Sequence, residues 1–215
     1  MSERIENVVT SGTFSLDGGT WEVDNNVWII GNDESVVIID PAHNVDKISA
    51  TVDGRTVEKI LLTHAHDDHI RSAKEAADRF NAPVYLNSAD RVLWEMVYPD
   101  WEFDSDLADG DTITIGTTEL TVLETPGHSP GSVCFYSQDL SWENSSGVVF
   151  SGDTLFSGGP GATGRSYSDF NTIIESIKNK LFTLPDSTAV LTGHGDSTGI
   201  GLEAPELDAW IARGH

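Results

Sequence analysis

"LLTHAHDDHIRS" (Leu61–Ser72) places three histidines and two aspartates within the six positions His64–His69, directly behind an apolar run. That run, "VEKILLT" (Val57–Thr63), reads as a buried strand. Behind the cluster, Ile70, Ala73, Ala76, Ala77 and Phe80 recur at spacings of three and four. This predicts one helix from Asp68 to Phe80, closed by Asn81 and Pro83. His64 and His66 lie two apart at a strand end, where side chains project to the same side. Two imidazoles so placed form a natural pair of metal ligands, and Asp68 and His69 open the helix beside them. Asp67 reads as a capping or surface carboxylate instead.

The chain returns to ligand-type residues three more times, each in a tight turn after a β-run: His128 in "ETPGHSPGS", Asp153 in "VVFSGDTLF" and His194 in "VLTGHGD". Strand ends feeding short loops are where α/β architectures place their sites. His43 reads as a surface-loop histidine, and the terminal His215 has no such setting. Around these motifs, "NNVWIIG" and "ESVVIID" form a hairpin, and "VDKISATV" a short helix closed by Gly54. "SADRVLWEMV" reads as a helix capped by Ser88, and "SDFNTIIESIKNKLF" as one capped by Ser168. Two β-rich segments each run into helices, which points to two packed sheets with helices outside, one domain over 1–215. Trp94, Tyr98 and Trp101 serve either core packing or a wall over the site. Cys134 sits in an apolar strand and reads as a buried structural thiol.

The 215 residues carry a formal net charge of −23 and a pI near 4.3. Such a surface repels phosphate backbones and anionic lipid, which argues against nucleic-acid and membrane partners. The N-terminus "MSERIENVVTSGTF" does not read as a leader, no apolar run reaches a membrane span, and one cysteine allows no intrachain disulfide. These features fit a cytoplasmic protein with a small-molecule substrate. They do not set its oligomeric state.

"THAHDDH", "PGHSPGS", "SGDTLF" and "TGHGD", in this order, resemble the ligand motifs of the metallo-β-lactamase superfamily, and within it those of single-domain glyoxalase II-like hydrolases. "VVIIDPAH" resembles the family's first motif. The resemblance runs from Asp40 to His194 and implies an αββα sandwich. It implies one metal site of His64, His66 and His128 and a second of Asp68, His69 and His194, with Asp153 bridging and Asp40 orienting a ligand from behind. Two divalent ions are expected, zinc first, with iron or manganese as alternatives. Asp153 and Asp68 are the expected catalytic carboxylates. The resemblance further implies hydrolysis of a small thioester by a hydroxide shared between the ions.

An arginine is scarce in this chain, yet Arg165 lies in the glycine-rich loop after Asp153, where it could hold a substrate carboxylate. Tyr167 is a second candidate for that pocket. Antibiotic-hydrolysing relatives generally lack a bridging aspartate, so "SGDT" argues against β-lactams as the main substrate. Two features depart from glyoxalase II: Ser72 replaces a glycine, and only 21 residues follow His194, too few for that enzyme's glutathione-binding helical domain. A thioester of mycothiol or coenzyme A is then as good a candidate. The competing implication is a persulfide dioxygenase with one iron held by His64, His66, His128 and Asp153.

Overall fold

The computed structural model describes residues 3–214, so His215 lies outside the described residues. Two six-stranded sheets face each other. The first contains β1 (Arg4–Leu16), β2 (Gly19–Gly31), β3 (Ser35–Ile39), β4 (Thr56–Leu61), β5 (Val84–Leu86) and β6 (Ser105–Asp106), in that spatial order. Its first three strands are antiparallel neighbours and its last four are parallel. The second sheet holds β7 (Thr112–Ile115), β8 (Thr118–Glu124), β9 (Val133–Ser137) and β10 (Val148–Gly152). A small ribbon of β11 (Leu155–Phe156) and β12 (Gly159–Pro160) follows, and β13 (Ala189–Thr192) and β14 (Thr198–Gly199) complete the second sheet, ordered β14-β13-β10-β9-β8-β7.

Helices cover both outer faces. On the first sheet lie α1 (Val45–Val52), α2 (Asp67–Ile70), α3 (Ala73–Phe80) and α4 (Arg91–Val97); on the second lie α5 (Phe170–Asn179), α6 (Ile200–Glu203) and α7 (Leu207–Arg213). The period-2 alternation of the strands sorts the side chains into these layers. In β3, Val36 and Ile38 pack outward with Ile48, Ala76 and Trp94. Val37 and Ile39 turn inward to meet Phe135, Phe150 and Leu191 of the opposite sheet. Cys134, Val149 and Val190 line the far face against Ile173, Ile177 and Trp210. With both faces covered, β3 is apolar almost throughout, as expected of a central strand. The expected αββα sandwich is thus present.

Several local features differ from the sequence reading. The N-terminal segment forms β1, paired with β2 through thirteen residue pairs around Asp17-Gly18, both with positive φ (53° and 78°). That is the primed-turn chemistry of a tight hairpin. The helix expected over 68–80 is two helices with a break at Arg71–Ser72. The Tyr98 hydroxyl causes it: it lies 2.8 Å from both the Ile70 and Arg71 carbonyls and is 3.3 Å from the Lys74 N–H, claiming groups that a continuous helix would pair internally. The caps each fall one residue from the expected serine. Asn87 Oδ1 accepts from Ala89 N–H, and Asp169 Oδ1 from Thr172 N–H. His43 is buried, its ring so close to β1 that a Cβ on Gly12 would lie 2.4 Å from it. Trp94, Tyr98 and Trp101 pack against one another at tilted and edge-on angles within the outer helical layer, not over the site. No helix among the described residues is long and apolar enough to cross a membrane.

Candidate metal centre

Five loops leave the carboxyl ends of strands and meet at one edge of the sandwich. Asp40 follows β3, His64–His69 follow β4, His128 follows β8, Asp153 follows β10 and His194 follows β13. Backbone hydrogen bonds tie these loops together: Val133 N–H to Thr63 C=O (2.8 Å), Gly193 N–H to Gly152 C=O (2.8 Å) and Asn26 N–H to Gly193 C=O (2.8 Å). Two glycines make the approach possible. A Cβ on Gly193 would lie 2.2 Å from Asp153 Oδ1, and one on Gly152, whose φ is +47°, would lie 2.4 Å from Thr63 Oγ1.

The structure brings the expected ligands into two groups. His66 Nδ1 lies 3.1 Å from His64 Nε2 and 2.9 Å from His128 Nε2. Across from them, His194 Nε2 lies 3.2 Å from both His69 Nε2 and Asp68 Oδ2. Asp153 stands between: Oδ1 is 3.2 Å from His69 Nε2, and Oδ2 is 3.4 Å from His194 Nε2 and 3.6 Å from His128 Nε2. Asp67 takes no part. It pairs with Arg71 and accepts Ser15 N–H at 2.9 Å.

The remaining ring nitrogens fix which atoms face inward. His128 Nδ1–H donates to Ala162 C=O (2.8 Å), and His194 Nδ1–H to Asp24 C=O (2.7 Å). His69 Nδ1–H donates to Asp40 Oδ2 (2.9 Å). Thr63 Oγ1–H donates to the same Asp40 oxygen (2.6 Å) and accepts from His64 Nδ1–H (3.0 Å). Asp40 also accepts Thr63 N–H at 2.7 Å. Asp40 thus hydrogen-bonds one histidine directly and a second through Thr63, and it lies close enough to His64 and His69 to form a third candidate group. In the neutral rings, the inward nitrogens of His64, His69, His128 and His194 are then lone pairs, free to bind a metal.

Facing lone pairs and carboxylates need positive charge between them. Burial works against ionised carboxyls, yet His69 and His194 hold Asp68 down at about 2, and His194 and His69 hold Asp153 well below the ordinary range. Conversely, burial opposes a charged His69 or His194, but Asp153 heads the groups that lift His69 well above its ordinary value and His194 to about 10. In the first group burial and neighbouring imidazoles push His64 well down and His66 to about 3. Asp153 Oδ1 is buried without a hydrogen-bond partner. Five imidazole nitrogens and two carboxylates converging in this way fit divalent transition metals, whose usual ligands they are.

Sequence reasoning missed the residues that frame this edge. Asn25, fully buried on β2, donates from Nδ2 to Asp68 Oδ2 at 3.0 Å. Its neighbour Asn26 donates to the carbonyls of Thr192 (3.1 Å) and Gly195 (2.9 Å), clasping the His194 loop. Both lie on the hairpin strand that "NNVWIIG" announced, but their targets are remote in sequence. A cleft of about 160 Å³ opens over the group, with Phe14, Val23, Asp68, Asp153 and Arg165 among its walls. The Arg165 guanidinium sits 3.8 Å from the centre of the Trp21 ring and 5.2 Å from that of Phe14, and it makes no ion pair among the described residues. Ser168, the expected helix cap, instead accepts from the N–H groups of Gly164 and Arg165, holding the arginine loop. Tyr167 is 46% exposed and does not line the cleft.

Comparison with known proteins agrees with this arrangement. The family model of the metallo-beta-lactamase superfamily matches residues 20–194, which contain every ligand candidate. Hydroxyacylglutathione hydrolase GloC of Haemophilus influenzae is 30% identical over 189 residues, covering 80% of this chain and 85% of that protein. The crystal structure of BLEG-1 B3 metallo-beta-lactamase aligns with a TM-score of 0.75 at 33% identity, covering 91% of this chain and 97% of that one. That of TTHA1623 in a di-iron-bound form aligns at 0.72 and 33% identity, covering 85% and 93%. The motif order, the sandwich and the converging histidines and aspartates have one origin: this chain belongs to the metallo-beta-lactamase superfamily.

Proposed function

We propose that the chain is a dinuclear metal-dependent hydrolase of a small thioester, the acyl adduct of a low-molecular-weight thiol. The observation that carries this reading is the pair of ligand groups, His64–His66–His128 and Asp68–His69–His194, joined through Asp153 at the floor of a cleft. Two divalent ions, when bound, supply a hydroxide near neutral pH and positive charge for a developing oxyanion. Zinc is our first assignment. The nitrogen and oxygen donors equally suit iron, which TTHA1623 holds as a pair.

The chain's own residues divide the remaining work. Asp153 spaces the two groups, and Asp40 and Asn25 hold the ligands so that little reorganisation accompanies reaction. Arg165 faces the cleft and makes no direct ion pair among the described residues, although Asp17 lies near enough to feel its charge. Its guanidinium is therefore available to hold an anionic substrate group. The Phe14 and Trp21 rings lie against the guanidinium and help to fix its position at the cleft. No general acid is needed, because a thiol of pKa about 8.5 leaves as thiolate.

The similarity to hydroxyacylglutathione hydrolase GloC supports a thioester, and the likeness to BLEG-1 B3 metallo-beta-lactamase puts a β-lactam among the substrates to be compared with it. The test is a substrate panel on metal-loaded protein: S-lactoyl thioesters of glutathione, mycothiol and coenzyme A, a cephalosporin, and a thiol persulfide with oxygen uptake recorded. Thioester turnover at least a hundredfold above the rest is expected. Oxygen uptake with one iron per chain and no thioester turnover would replace the hydrolase with a persulfide dioxygenase.

A further inference from the structure

Asp90 lies at the end of a short 3-10 turn (Ser88–Asp90) ahead of α4, and its side chain is fully buried. It belongs to neither ligand group and to no motif. Yet it bonds to both loops that carry the first group. Its Oδ2 accepts Ala65 N–H at 2.8 Å, and Ala65 is the residue between His64 and His66. The same oxygen accepts the Ser129 hydroxyl at 2.8 Å, and Ser129 follows His128. Its Oδ1 accepts Gly131 N–H at 2.5 Å, two residues further along. The fit is close: a Cβ on Gly131 would lie 2.6 Å from the Asp90 amide nitrogen. Asn87, which caps the turn, donates to Leu107 C=O at 2.9 Å and anchors the turn to the sheet.

A buried carboxylate that accepts three hydrogen bonds from two separate loops fixes the distance between them. Here that distance is the one between the His64–His66 pair and His128. None of the Asp90 hydrogen bonds reaches Asp68, His69, the His194 loop or Asp153. We propose that Asp90 is the positioning residue of the first metal group alone, setting its affinity through the spacing of the two loops and leaving the second group unaffected. The inference rests on the metal-centre reading above. It gives the chain a means of tuning its two ions independently, through a residue that touches neither.

The experiment is zinc titration against a competing chelator, with each group isolated. A His194→Ala background reports the first group, and a His128→Ala background the second. Asp90→Asn, which keeps the shape but places an amide where a carboxylate oxygen accepted, is added to each. Removing such an outer partner lowers metal affinity by about 10–100-fold. That loss is expected in the His194→Ala background, with a change under about twofold in the other. Equal losses in both backgrounds, or none in the first, overturn the proposal. If Asp90→Asn does not fold, Ser129→Ala removes one of the three bonds and must show a smaller loss confined to the first group; a loss shared by both overturns it. Wild-type protein that binds no zinc overturns the metal-centre reading itself, and this inference with it.

Discussion

Asp40→Asn is the substitution whose consequences can be followed furthest. Asp40 is buried with φ +50°, a conformation asparagine tolerates, so the backbone has no reason to move. One carbonyl oxygen remains to accept Thr63 N–H. The new amide then faces the two donors that Asp40 Oδ2 accepts, the Thr63 hydroxyl at 2.6 Å and His69 Nδ1–H at 2.9 Å. The hydroxyl can turn to accept from the amide, but it must then donate to His64 Nδ1. That moves the proton of His64 to Nε2, the atom that faces His66. His69 is driven the same way. Both inward lone pairs are therefore lost unless the protons are displaced. Outer-partner losses cost about 10–100-fold in metal affinity each. Because Asp40 acts on one histidine in each group, both affinities fall by roughly that factor, about 1.4–2.7 kcal/mol per ion. Chelator competition in the two single-group backgrounds measures this. A loss confined to one group, or affinities within about twofold of the parent in both, would mean that Asp40 does not set the tautomers of His64 and His69.

Tyr98→Phe leaves the Ile70 and Arg71 carbonyls without their hydroxyl partner, a loss of about 1–3 kcal/mol; thermal unfolding should show a midpoint lowered by roughly 3–9 °C, and an unchanged midpoint would mean that the helix break does not depend on the hydroxyl. Arg165→Gln should raise KM for an anionic thioester about tenfold or more and leave a neutral one within about twofold; equal effects on both would return Arg165 to a structural role. In the metal-free protein, the lowered His66 makes stability rise with pH from about 3 toward 6.5, and the raised His194, stabilising below 6.5, loses its contribution as pH climbs toward about 10. Urea midpoints of metal-free protein should therefore peak near the ordinary histidine value, and a midpoint rising steadily to pH 9 would contradict the charge balance described. Cys134, buried beside Thr125 and with burial pushing its thiol to about 11, should resist a thiol reagent at pH 8 until denaturant is added.

The ligand candidates were legible because metal ligands are dictated by residue chemistry and by strand-end position, both of which are local. His64 and His66 meet in the short loop just past β4, close to the strand end where their spacing of two marked them, and His128, Asp153 and His194 each follow a β-run. The supporting residues left no such trace. Asn25 and Asp90 act across 43 and 25 residues of chain respectively, and nothing about an isolated asparagine or aspartate says which loop it will hold. The β1 strand, "RIENVVTSGTFSL", hid because it is only partly buried and lacks a clean apolar alternation. Its signal was the turn instead: Asp17-Gly18 is a strong short-range hairpin mark. The break between α2 and α3 was invisible because the apolar spacing runs straight through it, and the hydroxyl that makes it lies nearly thirty residues away. His43 was misplaced for a related reason. Its burial depends on Gly12 of β1 offering space for the ring, a contact between elements that no periodicity encodes.

Two ions, held by the two ligand groups with Asp153 between them, would carry out the proposed thioester hydrolysis in this cleft. Metal-free protein titrated with zinc, with thioester hydrolysis followed at each addition, tests it most directly. Activity should climb through the second equivalent and level off at two ions per chain, and Asp153→Asn should abolish the rise. Activity complete at one equivalent, or undiminished in Asp153→Asn, would contradict it.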